Sequence, residues 1–154
     1  GSPGGHEVVP LVETIVNISR GTNYLSAKIR KRLHKLKDDV RIQVFVTPAC
    51  PHCSQMARLA YQVALESPRI STEVIEASEF PELGQRYQVR AVPTTVIDDK
   101  MSFAGSVPED LLVDTIERVI QSSPLTAMEA PETGPVTPTS EPSDTAADGK
   151  IILP

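Results

Sequence analysis

The feature that most constrains this chain is Cys50-Pro51-His52-Cys53, set between the β-branched run Ile42-Gln43-Val44-Phe45-Val46 and a helical stripe of Cys53, Met56, Ala57, Ala60 and Ala64. A dithiol at the junction of a strand and a helix orders both elements around it. Proline at the first helical position loses no helical hydrogen bond, so Pro51 predicts a helix start and Cys50 falls at or beside its N-cap. Cys53 then lies one turn further in, toward the core.

The junction divides labour between the two sulfurs. Free backbone N–H groups and the positive end of the helix dipole favour an anion, so the Cys50 thiol is expected to titrate below its ordinary value of about 8.5 and to be the nucleophile. Cys53, shielded on the inner face, is expected to act second, attacking a mixed disulfide and closing a Cys50–Cys53 bond. His52 carries a positive charge part of the time near neutrality and can point an N–H at the Cys50 sulfur. That favours thiolate, stabilises the reduced form and places the couple toward the oxidising end for such pairs. The alternative is a metal or iron–sulfur module, in which the two cysteines of each chain meet across a dimer or borrow His52, with glutathione assisting, because two thiolates alone cannot fill a tetrahedral site. The leading reading needs no cofactor and no metal.

Composition narrows the class. In a chain of 154 residues, 40% hydrophobic and 23% charged, one folded unit with tails is expected. A net charge of −5 argues against nucleic acid as a partner. There is no apolar run of the roughly 18 residues that cross a bilayer, and no basic-then-apolar opening of a secretory signal, so no membrane span and a cytoplasmic location are expected. Two cysteines cannot staple a small secreted domain.

Periodicity predicts a helix over Val8–Ser19 stopped by Gly21, and a second over Asn23–Lys37 with Leu25, Ile29, Leu33 and Leu36 as its inner stripe. Around that stripe, Lys28, Arg30, Lys31, Arg32, Lys35 and Lys37 form a solvated face, or a surface for an acidic partner or RNA. A strand follows at Arg41–Thr47, the dithiol helix at Pro51–Glu66, a strand at Ser71–Glu76, a short helix near Pro81–Tyr87, and strands at Thr94–Ile97 and Met101–Ala104 joined by an Asp98-Asp99 turn. A last helix, Pro108–Gln121, is expected to bury Leu112, Ile116, Val119 and Ile120. This order implies an α/β fold with a mixed sheet between helices.

Residues 122–154 hold six prolines, five acids and one base, which reads as a disordered acidic tail ending in the apolar Ile151-Ile152-Leu153. The expected organisation is an N-terminal helical extension over 1–38, the α/β domain over 39–121 and the tail. Gly1-Ser2-Pro3-Gly4-Gly5 is a cloning scar or a true loop.

Val92-Pro93-Thr94 heads a later strand, where proline commonly caps an edge. A strand, Cys-Pro-x-Cys at a helix start and Val-Pro-Thr before a later strand resemble the thioredoxin-like superfamily. More closely, Val44 to Cys53, Glu79-Phe80-Pro81-Glu82 and Ala91-Val92-Pro93 look like the C-terminal unit of prokaryotic glutaredoxin-like protein disulfide oxidoreductases, over roughly His6 to Gln121. The resemblance implies a thioredoxin-like fold with a central four-stranded mixed sheet and extra N-terminal helices. It also implies thiol–disulfide exchange with Cys50 attacking, Cys53 resolving and a cis Val92–Pro93 bond. Val92, Pro93 and Thr94 then form the substrate loop, where the Val92 backbone pairs with an extended peptide. The implied partners are protein thiols or disulfides, with a thioredoxin-reductase-like enzyme or glutathione closing the cycle.

Two departures matter. The buried Asp that thioredoxins carry six positions before the first cysteine falls on Val44 here. Glu76 is the candidate proton acceptor for Cys53 in its place, against the plainer expectation of a solvent-exposed strand-end carboxylate. Second, Leu11-Val12-Glu13-Thr14-Ile15 nearly repeats as Leu112-Val113-Asp114-Thr115-Ile116. In two-unit relatives the closing helix of the first unit precedes the second, so Leu11, Ile15 and Ile18 are expected to pack on a preceding unit or a second copy.

Overall fold

The computed structural model describes residues 3–122. The expected acidic tail and its apolar end lie outside the described residues, as do Gly1 and Ser2. A 3₁₀ turn, Gly5–Glu7, leads into α1 (Val8–Arg20) and α2 (Ala27–Leu33). The remaining elements are β1 (Val40–Val46), α3 (Pro51–Glu66), β2 (Ile70–Glu76), α4 (Pro81–Arg86), β3 (Thr94–Ile97), β4 (Met101–Ala104) and α5 (Glu109–Gln121).

The strands form one sheet in the order β2-β1-β3-β4, with β1 parallel to β2 and antiparallel to β3, and β4 antiparallel to β3. The mixed four-stranded sheet between helices is a thioredoxin-like fold. β1 is central because it is apolar on both faces. Ile42, Val44 and Val46 join Cys53, Met56, Ala60 and Val63 of α3 and Leu112 and Ile116 of α5 in the larger core. Phe45, on the opposite face, packs with Ile75 and Val96 beneath Phe80, Leu83 and Tyr87. Each such aliphatic side chain withdrawn from water stabilises the fold by about 1.5–3 kcal/mol, which makes this strand the anchor of the site that follows it.

The ends of the elements follow their residues. Gly21 takes the left-handed conformation at φ 62°, and its amide and that of Thr22 close α1 on Ile18 and Asn17. Asp98 and Asp99 both have positive φ, 50° and 56°, in the β3–β4 turn. The second helix is shorter than the pattern over Asn23–Lys37 predicts. Asn23 is occupied elsewhere, accepting from the Leu25 amide and donating to the Gln62 carbonyl and the Glu66 carboxylate, so Ser26 becomes the N-cap. The basic face of α2 is met from within the fold: Lys28 pairs with Asp110, Arg32 with Asp114 and Glu117, and Arg30 with the buried Glu66.

The repeated segments adopt one local structure in two settings. Thr14 donates to the Pro10 carbonyl and Thr115 to the Leu111 carbonyl, each at 2.7 Å, at matching positions of α1 and α5. Leu112, Val113 and Ile116 are fully buried, whereas Val12, Ile15 and Ile18 of α1 stand more than half exposed.

Candidate active site

β1 carries the chain to Thr47-Pro48-Ala49, and α3 starts at Pro51. Cys50 is therefore the N-cap, with extended backbone at φ −92° and ψ 108°. Cys50 and Cys53 are joined in a disulfide. The Cys53 amide, shared between the Cys50 carbonyl and the Cys50 sulfur at 3.2 Å each, aims an N–H of the helix start at that sulfur. The two sulfurs differ in access: Cys50 is half-buried, and Cys53 is wholly enclosed beside Met56. Pro51 and His52 are exposed on the first turn.

The Val92–Pro93 bond is cis. This loop brings the Val92 carbonyl oxygen to 3.8 Å from the Cys50 sulfur. Pro93 is buried, and its carbonyl accepts from the Gly105 amide at 2.7 Å. Thr94 is buried too, and its hydroxyl donates to the Ala91 carbonyl at 2.6 Å, so it braces the loop from inside. Of the three residues expected to meet substrate, Val92 is the one that reaches the sulfur.

Val44 has no exposure and pairs with Thr95 across β3, so the position expected for a buried acid is filled by packing. Glu76 pairs with Val46 and lies on the same sheet face as α3. The plainer expectation of an exposed carboxylate there is corrected, because Glu76 is only 4% exposed. Its two oxygens accept from the amides of Ser78, at 3.1 Å, and Glu79, at 2.7 Å, closing the turn after β2. Burial pushes the Glu76 carboxyl up, but the Ser78 amide and hydroxyl and the Glu79 amide outweigh it and hold the group below the usual carboxylate range. A carboxylate so engaged is a weak base.

Another buried acid near the site escaped sequence reasoning. Glu7, in the 3₁₀ turn, is 7% exposed and its Oε1 has no hydrogen-bond partner among the described residues. Burial, and next the neighbouring Glu76 charge, with Glu79 adding to it, push its carboxyl above the usual range. The signal available was Gly4-Gly5 ahead of a lone acid. Gly5 has φ +53°, and a Cβ there would stand 2.3 Å from the Pro48 carbonyl oxygen, so the turn can lie against the loop before Cys50 only because residue 5 is glycine.

Among the described residues, no three His, Cys, Asp or Glu side chains converge on a site for a metal ion. No described helix is long and apolar enough to cross a membrane.

The family model for the thioredoxin domain matches residues 40–120. The chain belongs to the thioredoxin family. It is 36% identical over 80 residues to a thioredoxin of Methanocaldococcus jannaschii, a match that takes in 51% of this chain and 94% of that protein. Among solved structures, a protein disulfide oxidoreductase from Aeropyrum pernix superposes with a TM-score of 0.74 at 32% identity, covering 79% of this chain and 54% of that one. The N-terminal domain of the alkylhydroperoxide reductase AhpF from Enterococcus faecalis gives 0.69 at 27% identity, covering 74% and 55%. The chain thus spans nearly all of a short thioredoxin and about half of each of these two structures. As a thioredoxin-family unit with a paired Cys-x-x-Cys at the helix start, it is a thiol–disulfide oxidoreductase.

Proposed function

We propose that this unit exchanges disulfides with proteins through a mixed-disulfide intermediate. The reduced Cys50 thiolate attacks a substrate disulfide, one substrate sulfur leaves as thiolate, and Cys53 then attacks Cys50, releasing the second substrate sulfur and forming the Cys50–Cys53 bond. The observation that carries this reading is the unequal access of the sulfurs: Cys50 is reachable and receives a helix-start N–H, whereas Cys53 is enclosed behind it. His52 on the open side adds a proton donor near the nucleophile and shifts the couple toward the oxidising end. The Val92 carbonyl, 3.8 Å from the sulfur in the bend ahead of β3, supports peptide docking through main-chain hydrogen bonds and hence broad sequence tolerance.

The substrates are protein disulfides or dithiols, and the return electrons come from a thioredoxin-reductase-like enzyme or from glutathione. Cytoplasmic surroundings, whose thiol buffers keep such pairs turning over, belong to the same reading. We also read residues 1–38 as a piece of a neighbouring thioredoxin-like unit, supported by the shared Thr hydrogen bond of α1 and α5 and the uncovered apolar face of α1.

Titration of the couple against glutathione, with alkylation mapping of the reduced chain, tests the function. The expected result is a reversible two-electron couple, with position 50 reacting faster and at lower pH than free cysteine. A sluggish position 50 that titrates like free cysteine overturns the reading.

A further inference from the structure

The exchange mechanism uses the main chain of the Val92 loop and leaves the cationic side chain of that loop without a task. Arg90 lies two residues before Val92, whose carbonyl oxygen is 3.8 Å from the Cys50 sulfur. Two residues span at most about 7 Å, so Arg90 stays beside the group that meets the nucleophile. The chain is pinned on either side of it. The Val89 amide donates to the Gly84 carbonyl at 2.8 Å, and the Val89 side chain packs with the Phe45 cluster. Beyond Arg90, the Ala91 carbonyl accepts from the Thr94 hydroxyl and the Pro93 carbonyl from the Gly105 amide. Arg90 itself is exposed.

Most arginines of the fold are occupied. Arg30, Arg32, Arg41, Arg58 and Arg69 each sit on a carboxylate, and Arg86 lies over the Tyr87 ring. The Arg90 side chain makes no ion pair, hydrogen bond or ring contact among the described residues. Nor do the acids near the site neutralise it. Glu76 is buried with its oxygens held by two amides, and Glu79 follows β2, which β1 separates from the strand that Arg90 precedes. The exposed His52 and the helix-start N–H at Cys50 add positive character to the same rim.

We infer that Arg90 selects substrates by charge: the preferred protein disulfide carries Asp or Glu within two residues of the cysteine that Cys50 attacks. The inference rests on the exchange reaction proposed above and names its substrate class. When a substrate main chain pairs at Val92, the residues flanking its cysteine come to lie along the segment that includes Arg90. A carboxylate there meets a guanidinium that is always charged and has no ion pair to give up, whereas a lysine is repelled. Main-chain pairing leaves the rest of the substrate sequence open.

Three peptides that differ only in the residue beside their single cysteine, Asp, Ala or Lys, are capped as mixed disulfides with a coloured aryl thiol. Attack by the reduced full chain releases the aryl thiolate, and each rate is divided by that of the Ala peptide. At low salt the Asp peptide is expected to react about fivefold faster than the Lys peptide, the upper end for one exposed ion pair. The preference is expected to fade in 1 M salt, where screening acts within about 3 Å. Arg90→Glu is expected to reverse the order and Arg90→Lys to keep it, which a merely structural role would not produce. An order unchanged in Arg90→Glu, or no preference in the unaltered chain, overturns the inference, as does an Arg90 effect seen with glutathione disulfide and not with the peptides. Release of no aryl thiolate from any peptide overturns the exchange reaction itself, so the two failures are distinguishable.

Discussion

The amide of His6 donates to the carbonyl of Pro48, two residues ahead of Cys50, and so ties the N-terminal turn to the loop that presents the nucleophile. Gly5 makes the approach possible. Gly5→Ala would place a methyl carbon 2.3 Å from the Pro48 carbonyl oxygen on a backbone with φ +53°. The expected loss is at least about 1–2 kcal/mol, the cost of holding a side chain in the left-handed region. Urea unfolding measures it, and amide exchange at His6 is expected to accelerate more than exchange in β1.

The cysteines are expected to fail differently. Cys50→Ser abolishes reduction of insulin disulfides. Cys53→Ser keeps the attacking sulfur and accumulates mixed disulfides with substrate, visible by mass spectrometry without reductant. Equal loss with no trapped adduct in Cys53→Ser would contradict the assignment of the resolving sulfur.

Glu7 and Glu76 oppose one another in their effect on stability. Glu76 titrates below the usual range when folded, so its contribution is complete above the unfolded value and is lost as pH falls through the folded one. Glu7 titrates above it, so the folded chain holds the proton more tightly and stability falls as pH rises from the unfolded value through the folded one. Glu7→Gln is therefore expected to raise the urea midpoint at neutral pH, with the gain vanishing below the ordinary glutamate value of about 4.3. Glu76→Gln is expected to lower the midpoint at neutral pH, with the loss shrinking in acid.

Thr95 has no exposure, and its hydroxyl has no hydrogen-bond partner among the described residues. Thr95→Val removes a buried polar atom at nearly constant volume and is expected to raise stability by about 1 kcal/mol, read as a higher thermal midpoint with thiol exchange unchanged. A lower midpoint would mean that the hydroxyl has a partner, such as a bound water.

Much of this architecture was legible in the residues. Pro51, the β-branched run of β1 and the Asp98-Asp99 turn each carry a local rule, and the corresponding elements end within a residue of where those rules put them. The second helix is shorter than its apolar stripe implies because the Asn23 side chain is engaged by Gln62 and Glu66 from a distant helix. The acids were harder still. Glu76 is enclosed by amides of its own turn, and Glu7 by a close approach that depends on where the Pro48 carbonyl comes to lie. Neither arrangement has a period or a spacing. Both follow only once the chain has closed on itself.

Val44 meets Thr95 and hydrocarbon, which leaves the strand beneath the cysteines as plain filling. An engineer can then reshape that layer by matching volumes alone, since the Val44 side chain buries no charge there.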